Sequence, residues 1–278
     1  MRLVTVRVEE ASGATRAGRL DGEEIVLLAD PDVGALLAHD DWEARAEADG
    51  PRLPGAGASL APVVPRPPKI ICLGLNYASH IDEMGHERPR YPTLFAKFAR
   101  ALIGPRDPIV LPRVSEAVDW EVELAFVIGR PARHVTAKSA LGHIAGWTVF
   151  NDVSVRDYQR RTQEFLSGKT FEATNPVGPA LVTRDEVATG GLGLRVQCIV
   201  DGEVMQDSST SDLLFPPAEI VSYVSDIVTL EPGDLIATGT PAGVAAGRTP
   251  PPWLKAGQVV RTVVEGVGEL ENRCIAEL

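Results

Sequence analysis

The stretch DWEVELAFVIG, residues 119–129, constrains the fold of this chain more than any other. Asp119, Glu121 and Glu123 take alternate positions, with Trp120, Val122 and Leu124 between them and an apolar run on to Ile128. A period of two belongs to a strand, which puts the acids on one face and the apolar residues on the other. An ordinary solvated face explains the alternation but not the crowding. Asp and Glu are poor strand residues, and like charges roughly 6 Å apart at an effective dielectric near 20 repel by about 3 kcal/mol. A bound divalent cation reverses that sign. Another acid, Asp152, closes the strand-rich segment GHIAGWTVFND at 142–152. Glu121, Glu123 and Asp152 thus form a candidate three-carboxylate metal set. Oxygen-only ligation suits Mg²⁺, Mn²⁺ or Ca²⁺, and no His or Cys cluster in the sequence offers a zinc alternative.

Elsewhere the pattern is also strand-rich. Residues 2–8 and 16–29 read as short strands, the second stretch folded back at LDGEE. Residues 33–47 read as a helix. The Pro- and Gly-dense stretch 50–69 disfavours regular structure. It marks an expected boundary between a small N-terminal α+β domain with its linker (1–66) and a catalytic domain (67–278). KIICLGLNY at 69–77 reads as a buried strand, and SHIDEMG at 79–85 as a short helix with Ser79 as N-cap. Residues 154–167 and 217–227 read as helices. Asp201-Gly202 turns a hairpin, and two strands flank Gly266 and Gly268 near the C-terminus. Strands outnumber helices, so the expected class is α+β with a strand-dominated core.

Charge and composition narrow the partners. The formal net charge is −11 over 278 residues. That repels phosphate backbones and anionic lipid surfaces, so neither nucleic acid nor membrane is an expected partner. No apolar run approaches the roughly 18 residues of a membrane span, and the N-terminus lacks the apolar core of a signal peptide. Cys72, Cys198 and Cys274 are scattered in apolar surroundings. Such a set points to buried thiols in a reducing compartment, hence a cytoplasmic protein.

Three further features carry candidate chemistry. His80 and Glu83 stand at i, i+3 and are neighbours on a helix. A carboxylate beside imidazole raises its basicity and fixes its tautomer, as a general base requires. A surface helix with ordinary polar residues is the alternative. SGKT at 167–170 resembles part of a phosphate loop, but Gln163 stands where that motif needs its first glycine. Lys169 is then a surface lysine, or a positive charge that neutralises a substrate carboxylate beside the metal. In ATGTPAGV, backbone N–H groups around Gly239 and the Thr240 hydroxyl are candidates for holding an anion.

The segments CLGLNYASHIDEMG, DWEVELAFVIG, GWTVFNDVSVRDYQ, GKTFEATNPVGP and LEPGDLIATGTPAGV, in this order, resemble the fumarylacetoacetate hydrolase family from about Lys69 to the C-terminus. The resemblance implies a mixed β-sandwich roll and a homodimer. It implies Mg²⁺ or Mn²⁺ held by Glu121, Glu123 and Asp152, with Asp119 a neighbour rather than a ligand. Lys169 falls on the family's active-site lysine, and His80 and Glu83 on the dyad of the short acylpyruvase-like members. Arg156, Gln159 and Thr240 fall on pocket-lining positions. Arg100, Glu172 and Asn175 depart from the usual pattern and are expected to border the pocket. The implied substrate is a small 2-oxo acid. The leading expectation is hydrolysis of a C–C bond in a 2,4-dioxo acid of acylpyruvate or fumarylpyruvate type, with a pyruvate enolate stabilised at the metal site. Decarboxylation of oxaloacetate and isomerisation of 2-hydroxyhepta-2,4-diene-1,7-dioate use the same site. A metal-dependent small-molecule binder without turnover is the non-enzymatic alternative.

Overall fold

Two packed sheets organise the chain, seen in a computed structural model that describes residues 1–9 and 13–278. The larger has 11 strands. From edge to edge these are Arg52–Pro54, Glu24–Leu27, Ala14–Asp21, Arg2–Glu9, Asn175–Thr183, Ile144–Asn151, Val122–Ile128, Leu235–Ala237, Ile70–Gly74 and Thr93–Ala96. Leu102–Ile103 pairs alongside Asn175–Thr183. Most pairings are antiparallel, but Leu235–Ala237 runs parallel to Ile70–Gly74, so the sheet is mixed. The smaller sheet has five strands, in the order Glu203–Ser209, Arg195–Val200, Val259–Val264, Gly268–Ala276 and Ile109–Leu111. The result is the strand-dominated core that the sequence pattern predicts, in the mixed sandwich form that the family resemblance implies.

Val122–Ile128 lies at the centre, flanked by Ile144–Asn151 and Leu235–Ala237. Its alternation is real, but both faces are buried. Val122, Leu124, Phe126 and Ile128 enter the core shared with the smaller sheet, where they meet Trp147, Val196, Val260 and Leu270. Phe126 packs edge-on to Trp147, with ring centroids 5.8 Å apart. Ala125 and Val127 enter a second core with Leu36, Leu37 and Trp42. The acids upstream therefore sit at the end of a buried face, not on a wet one.

Several local expectations change. The DWEVELAFVIG stretch is not one strand. Val118–Asp119 pairs with Ser154–Val155, and the long strand begins only at Val122. Between them the Glu121 N–H donates to Asn151 Oδ1 at 3.0 Å, so a side chain replaces the ladder. The helix expected over 33–47 is two turns, Val33–Leu37 and Trp42–Ala46. The second turn starts after Asp41, whose carboxylate makes no cap bond and accepts instead from Arg45 Nε at 2.8 Å. Ser79 is not the N-cap. The helix Ala78–Glu83 starts after Tyr77, and the Ser79 N–H donates instead to Asp212 Oδ2 at 3.0 Å. Residues 154–167 hold Ser154–Val155 as strand and Arg156–Gln159 as one helical turn. A second turn, Leu166–Lys169, follows. Between the turns the Thr162 hydroxyl donates to the Glu164 carbonyl, a local bond that competes with helix.

The N-terminal strands extend the same sheet. Leu3 sits opposite Leu181 in antiparallel register, so the sheet is continuous across the boundary expected near residue 66. The helix Pro217–Ile227 matches its predicted span. It buries Pro217, Ile220, Val221, Val224 and Ser225, a single 3.6-residue stripe.

Candidate active site

Glu121, Glu123 and Asp152 converge as expected, offering carboxylate oxygens all within 4.8 Å of one another. Adjacent strands bring them together: Glu123 pairs with Phe150 in register, and the Asp152 N–H donates to the Glu121 carbonyl at 2.9 Å. All three side chains are buried. Glu123 Oε2 accepts from the Gly239 N–H at 2.8 Å, but Glu123 Oε1 is buried without a hydrogen-bond partner. Burial, Asp152 and Glu121 push the Glu123 carboxyl well above the usual glutamate range. An unpartnered buried carboxylate oxygen is costly. A hard divalent cation satisfies it, and an all-carboxylate donor set fits Mg²⁺, Mn²⁺ or Ca²⁺.

Three buried cations balance these acids. Lys169 Nζ donates to Glu121 Oε2 at 2.7 Å and to Asp152 Oδ2 at 2.8 Å. Arg156 Nη2 lies 2.6 Å from Glu121 Oε1, and its Nε donates to Asp119 Oδ2 at 2.7 Å. Lys97 Nζ is ion-paired with Asp152 Oδ1 and donates to the Lys169 carbonyl. Burial opposes the charge of both Glu121 and Lys169, yet their partners outweigh it. Lys169 and Arg156 hold Glu121 below the usual range, while Asp152 and Glu121 hold Lys169 above its own. Counting Asp119, four carboxylates face three cations, a formal −1. A proton on Glu123 would neutralise the cluster, and a divalent cation held by Glu121, Glu123 and Asp152 would take that proton's place.

Asp119 stands apart from the metal set. Its carboxylate accepts from the N–H groups of Trp120, Ala245 and Ala246 and pairs with Arg156. It ties the 245–246 turn to the arginine and so positions Arg156 against Glu121.

A cavity of 380 Å³ opens beside Glu121 and Lys169. His80, Arg156, Gln159 and Thr240 also line it. His80 Nδ1 lies 3.2 Å from Glu83 Oε2. A carboxylate there favours the tautomer protonated at Nδ1 and leaves Nε2 basic. Glu83 also accepts from the Gly243 N–H at 3.0 Å. Burial raises its pKa, but His80 and this N–H outweigh burial, so Glu83 lies below the usual range. The dyad helix is thereby docked onto the 243–247 loop. Arg156 Nη1 donates to Gln159 Oε1 at 2.9 Å, which fixes that amide at the cavity wall.

The anion-holding role expected of the ATGTPAGV loop turns inward. Gly239 does not line the cavity, and its N–H serves Glu123. Its φ of +97°, where an L side chain is strained, aims that N–H. The Thr240 hydroxyl donates to the Val122 carbonyl and accepts from Gln206 Nε2, while the residue still faces the cavity. Gly168 has a different purpose. A Cβ there would lie 2.4 Å from the Gln159 nitrogen, so only glycine lets the Leu166–Lys169 turn touch Arg156–Gln159. Close packing, not phosphate, explains the SGK sequence.

Arg100 and Glu172 do not border the cavity. They pair with each other on the surface at 3.1 Å, 80% and 68% exposed. Asn175 is buried away from the cavity and donates to Thr174 Oγ1. Lys97 is the residue that sequence reading missed. Its only signal is a lysine two residues beyond Phe95 in FAKF, at the end of a strand whose Phe95 faces the cavity. Gln206 was equally silent in the sequence, yet its amide joins Val122, Thr240 and Pro241.

Fold and site together define a class of sandwich proteins with a candidate three-carboxylate metal site beside a cavity. The model of the fumarylacetoacetate hydrolase C-terminal domain matches residues 69–275, and the chain belongs to that family. It is 46% identical over 227 residues to the mitochondrial oxaloacetate tautomerase FAHD2A of Bos taurus, covering 81% of this chain and 72% of the relative. The fumarylacetoacetate hydrolase of Exiguobacterium antarcticum superposes with a TM-score of 0.87 at 32% identity, over all of both chains. A 5-carboxymethyl-2-hydroxymuconate delta-isomerase from Mycobacterium smegmatis gives 0.81 at 33% identity, again over all of both chains. These relatives are enzymes of three named activities. Among the described residues no helix is long and apolar enough to cross a membrane.

Proposed function

We propose that this chain is a divalent-metal-dependent enzyme that interconverts the keto and enol forms of a small 2-oxo acid, with oxaloacetate as the first candidate. One observation carries the reading. A base held by a carboxylate, His80–Glu83, and a buried cation, Lys169, line one cavity beside the three-carboxylate site. Tautomerisation asks for a metal position, a base and a charge-neutralising group, and nothing further. Mg²⁺ or Mn²⁺ held by Glu121, Glu123 and Asp152 supplies Lewis acidity to the 2-oxo acid. His80 Nε2 takes the proton from C3 and delivers a proton to the 2-oxo oxygen to complete the enol, the reverse transfers giving the ketone, while Glu83 stabilises the imidazolium. Lys169 offsets the negative charge that develops on the enolate oxygen. Arg156 and Gln159 shape the wall against which the substrate is oriented. The 46% identity to an oxaloacetate tautomerase supports the choice of substrate.

Hydrolysis of a 2,4-dioxo acid is the second reading. The same His80–Glu83 pair favours it, because the pair is also suited to deprotonating an attacking water. Decarboxylation of oxaloacetate needs neither an attacking water nor proton abstraction: the C3–C4 bond breaks, CO2 leaves, and the resulting enolate takes up a proton at C3 to give pyruvate. Decay of the near-UV enol absorbance of oxaloacetate, with Mg²⁺ and with metal-stripped protein as control, tests the proposal. Faster decay without pyruvate release supports tautomerisation. Pyruvate from oxaloacetate assigns decarboxylation, and pyruvate from acylpyruvates alone assigns hydrolysis. The buried, unpaired Cys72, Cys198 and Cys274 support a reducing compartment such as the cytoplasm, and family membership supports a homodimer.

A further inference from the structure

We propose that Arg160, flanked by Thr162 and Gln163, holds a second, distal carboxylate of the substrate, so that the cavity selects dicarboxylic 2-oxo acids. The inference rests on the 2-oxo acid reading above and extends it to the far end of the molecule. Three cationic side chains, Lys169, Arg156 and Arg160, line the cavity. The first two are committed to Glu121, Asp152 and Asp119. Arg160 makes no ion pair or side-chain hydrogen bond among the described residues, whereas its neighbour Arg161 lies 3.4 Å over the Tyr158 ring and faces Asp157.

Local structure explains where Arg160 stands. It is the C-cap of the Arg156–Gln159 turn, and its N–H donates to the Arg156 carbonyl at 3.1 Å. Residues four apart share a helix face. Arg156 is buried against Glu121 and Asp119, whereas Arg160, at the end of the turn, lines the same cavity and is exposed to solvent. Thr162 and Gln163 continue this wall, and Met84 and His86 form part of the lining from the segment after the dyad helix. Among the described residues the only carboxylate lining the cavity is Glu121, already paired with Lys169 and Arg156. An uncommitted, exposed guanidinium lining a cavity whose buried charges are matched presents a forked donor for carboxylate. The 380 Å³ of space exceeds the needs of the carboxylate and carbonyl at the metal end, and leaves room for a chain that reaches it.

The test compares two ligands that differ at the far end, 2-oxoglutarate and 2-oxopentanoate, by calorimetric titration of the Mg²⁺-loaded protein. The wild type should bind 2-oxoglutarate about ten- to a hundred-fold more tightly, the range of one charge-assisted contact. Arg160→Gln should abolish that preference while leaving the 2-oxopentanoate affinity unchanged, and Arg160→Lys should restore part of it. Equal affinity of the wild type for both ligands, or an Arg160→Gln protein that keeps the preference, overturns the distal site and leaves the metal-end reading standing. Binding of neither ligand overturns both.

Discussion

The Gly239 N–H donates to one oxygen of Glu123 at 2.8 Å, while the other oxygen of that carboxylate is buried without a partner. This half-satisfied glutamate leaves the site able to take a cation, which a closed salt-bridge network could not. It also predicts a trade between stability and metal binding. Glu123→Gln keeps the shape and the Gly239 contact but removes the charge. It should abolish Mn²⁺ binding, read by electron paramagnetic resonance, and raise the melting temperature of the metal-free protein at neutral pH. The pH dependence follows from a folded-state pKa raised above the ordinary glutamate value. This group's contribution to metal-free stability is complete below about pH 4.3, the unfolded value, and is lost as pH rises through the folded value. Metal-free wild type should therefore lose ground to Glu123→Gln as pH rises, and Mg²⁺ should reverse the order. An unchanged order with Mg²⁺ would remove Glu123 from the ligand set.

Lys97 joins Asp152 to the Lys169 backbone from inside the core. Lys97→Met leaves the cluster one positive charge poorer. Breaking a buried pair costs about 3–5 kcal/mol, so the metal-free protein should melt markedly lower. A divalent cation neutralises part of the exposed deficit, so the gain in melting temperature on adding Mn²⁺ should exceed that of the wild type. Turnover should fall even when metal is saturating, because the Lys169 backbone loses its anchor and Asp152 loses one of its two cations. A variant with the same Mn²⁺-induced gain as wild type would reduce Lys97 to a packing residue.

The sequence carries the metal triad because ligand spacing along a strand is local: Glu121 and Glu123 are two residues apart, and Asp152 ends the neighbouring strand. The His80–Glu83 dyad is legible for the same reason, being one helical turn. Burial of the acids was not legible. It depends on the second core under Ala125 and Val127, assembled from the distant Leu36, Trp42 and Leu181. Lys97 and Gln206 were hidden because their partners lie far along the chain, Lys97 against Asp152 and Gln206 against Val122. The Gly239 amide misled because a loop that suits a foreign anion equally suits one of the protein's own. Ser79 misled because Asp212, 133 positions away, supplies the cap.

The dyad should separate catalysis from metal binding. His80→Ala should cut proton exchange at C3 of the 2-oxo acid by about 100- to 10,000-fold, the range for losing a general base, while Mn²⁺ affinity stays within a few-fold. Parallel loss of both would make His80 structural. Glu83 has a lowered folded-state pKa, so its contribution is present above about pH 4.3 and lost as pH falls through the folded value. The melting-temperature gap between wild type and Glu83→Gln should accordingly be widest near neutral pH and close on acidification. A gap that widens toward acid would contradict the assigned contacts with His80 and Gly243.

Gly168 offers a test of positioning at one remove from the chemistry. A methyl group added there meets the Gln159 nitrogen at 2.4 Å and Cα at 2.6 Å, backbone atoms that cannot swing aside. The turns Arg156–Gln159 and Leu166–Lys169 must then separate, at a cost of about 1–3 kcal/mol. Lys169 moves off Glu121 and Asp152, and the wall bearing Gln159 moves with it. A displacement of about 1 Å in a catalytic group can cost roughly 100-fold. Gly168→Ala should therefore lower kcat by about that factor, with a melting temperature reduced by only several degrees and with Mn²⁺ still bound, since none of the three carboxylates sits on either turn. A variant that folds and turns over at the wild-type rate would show that the contact between the two turns does not set the position of Lys169.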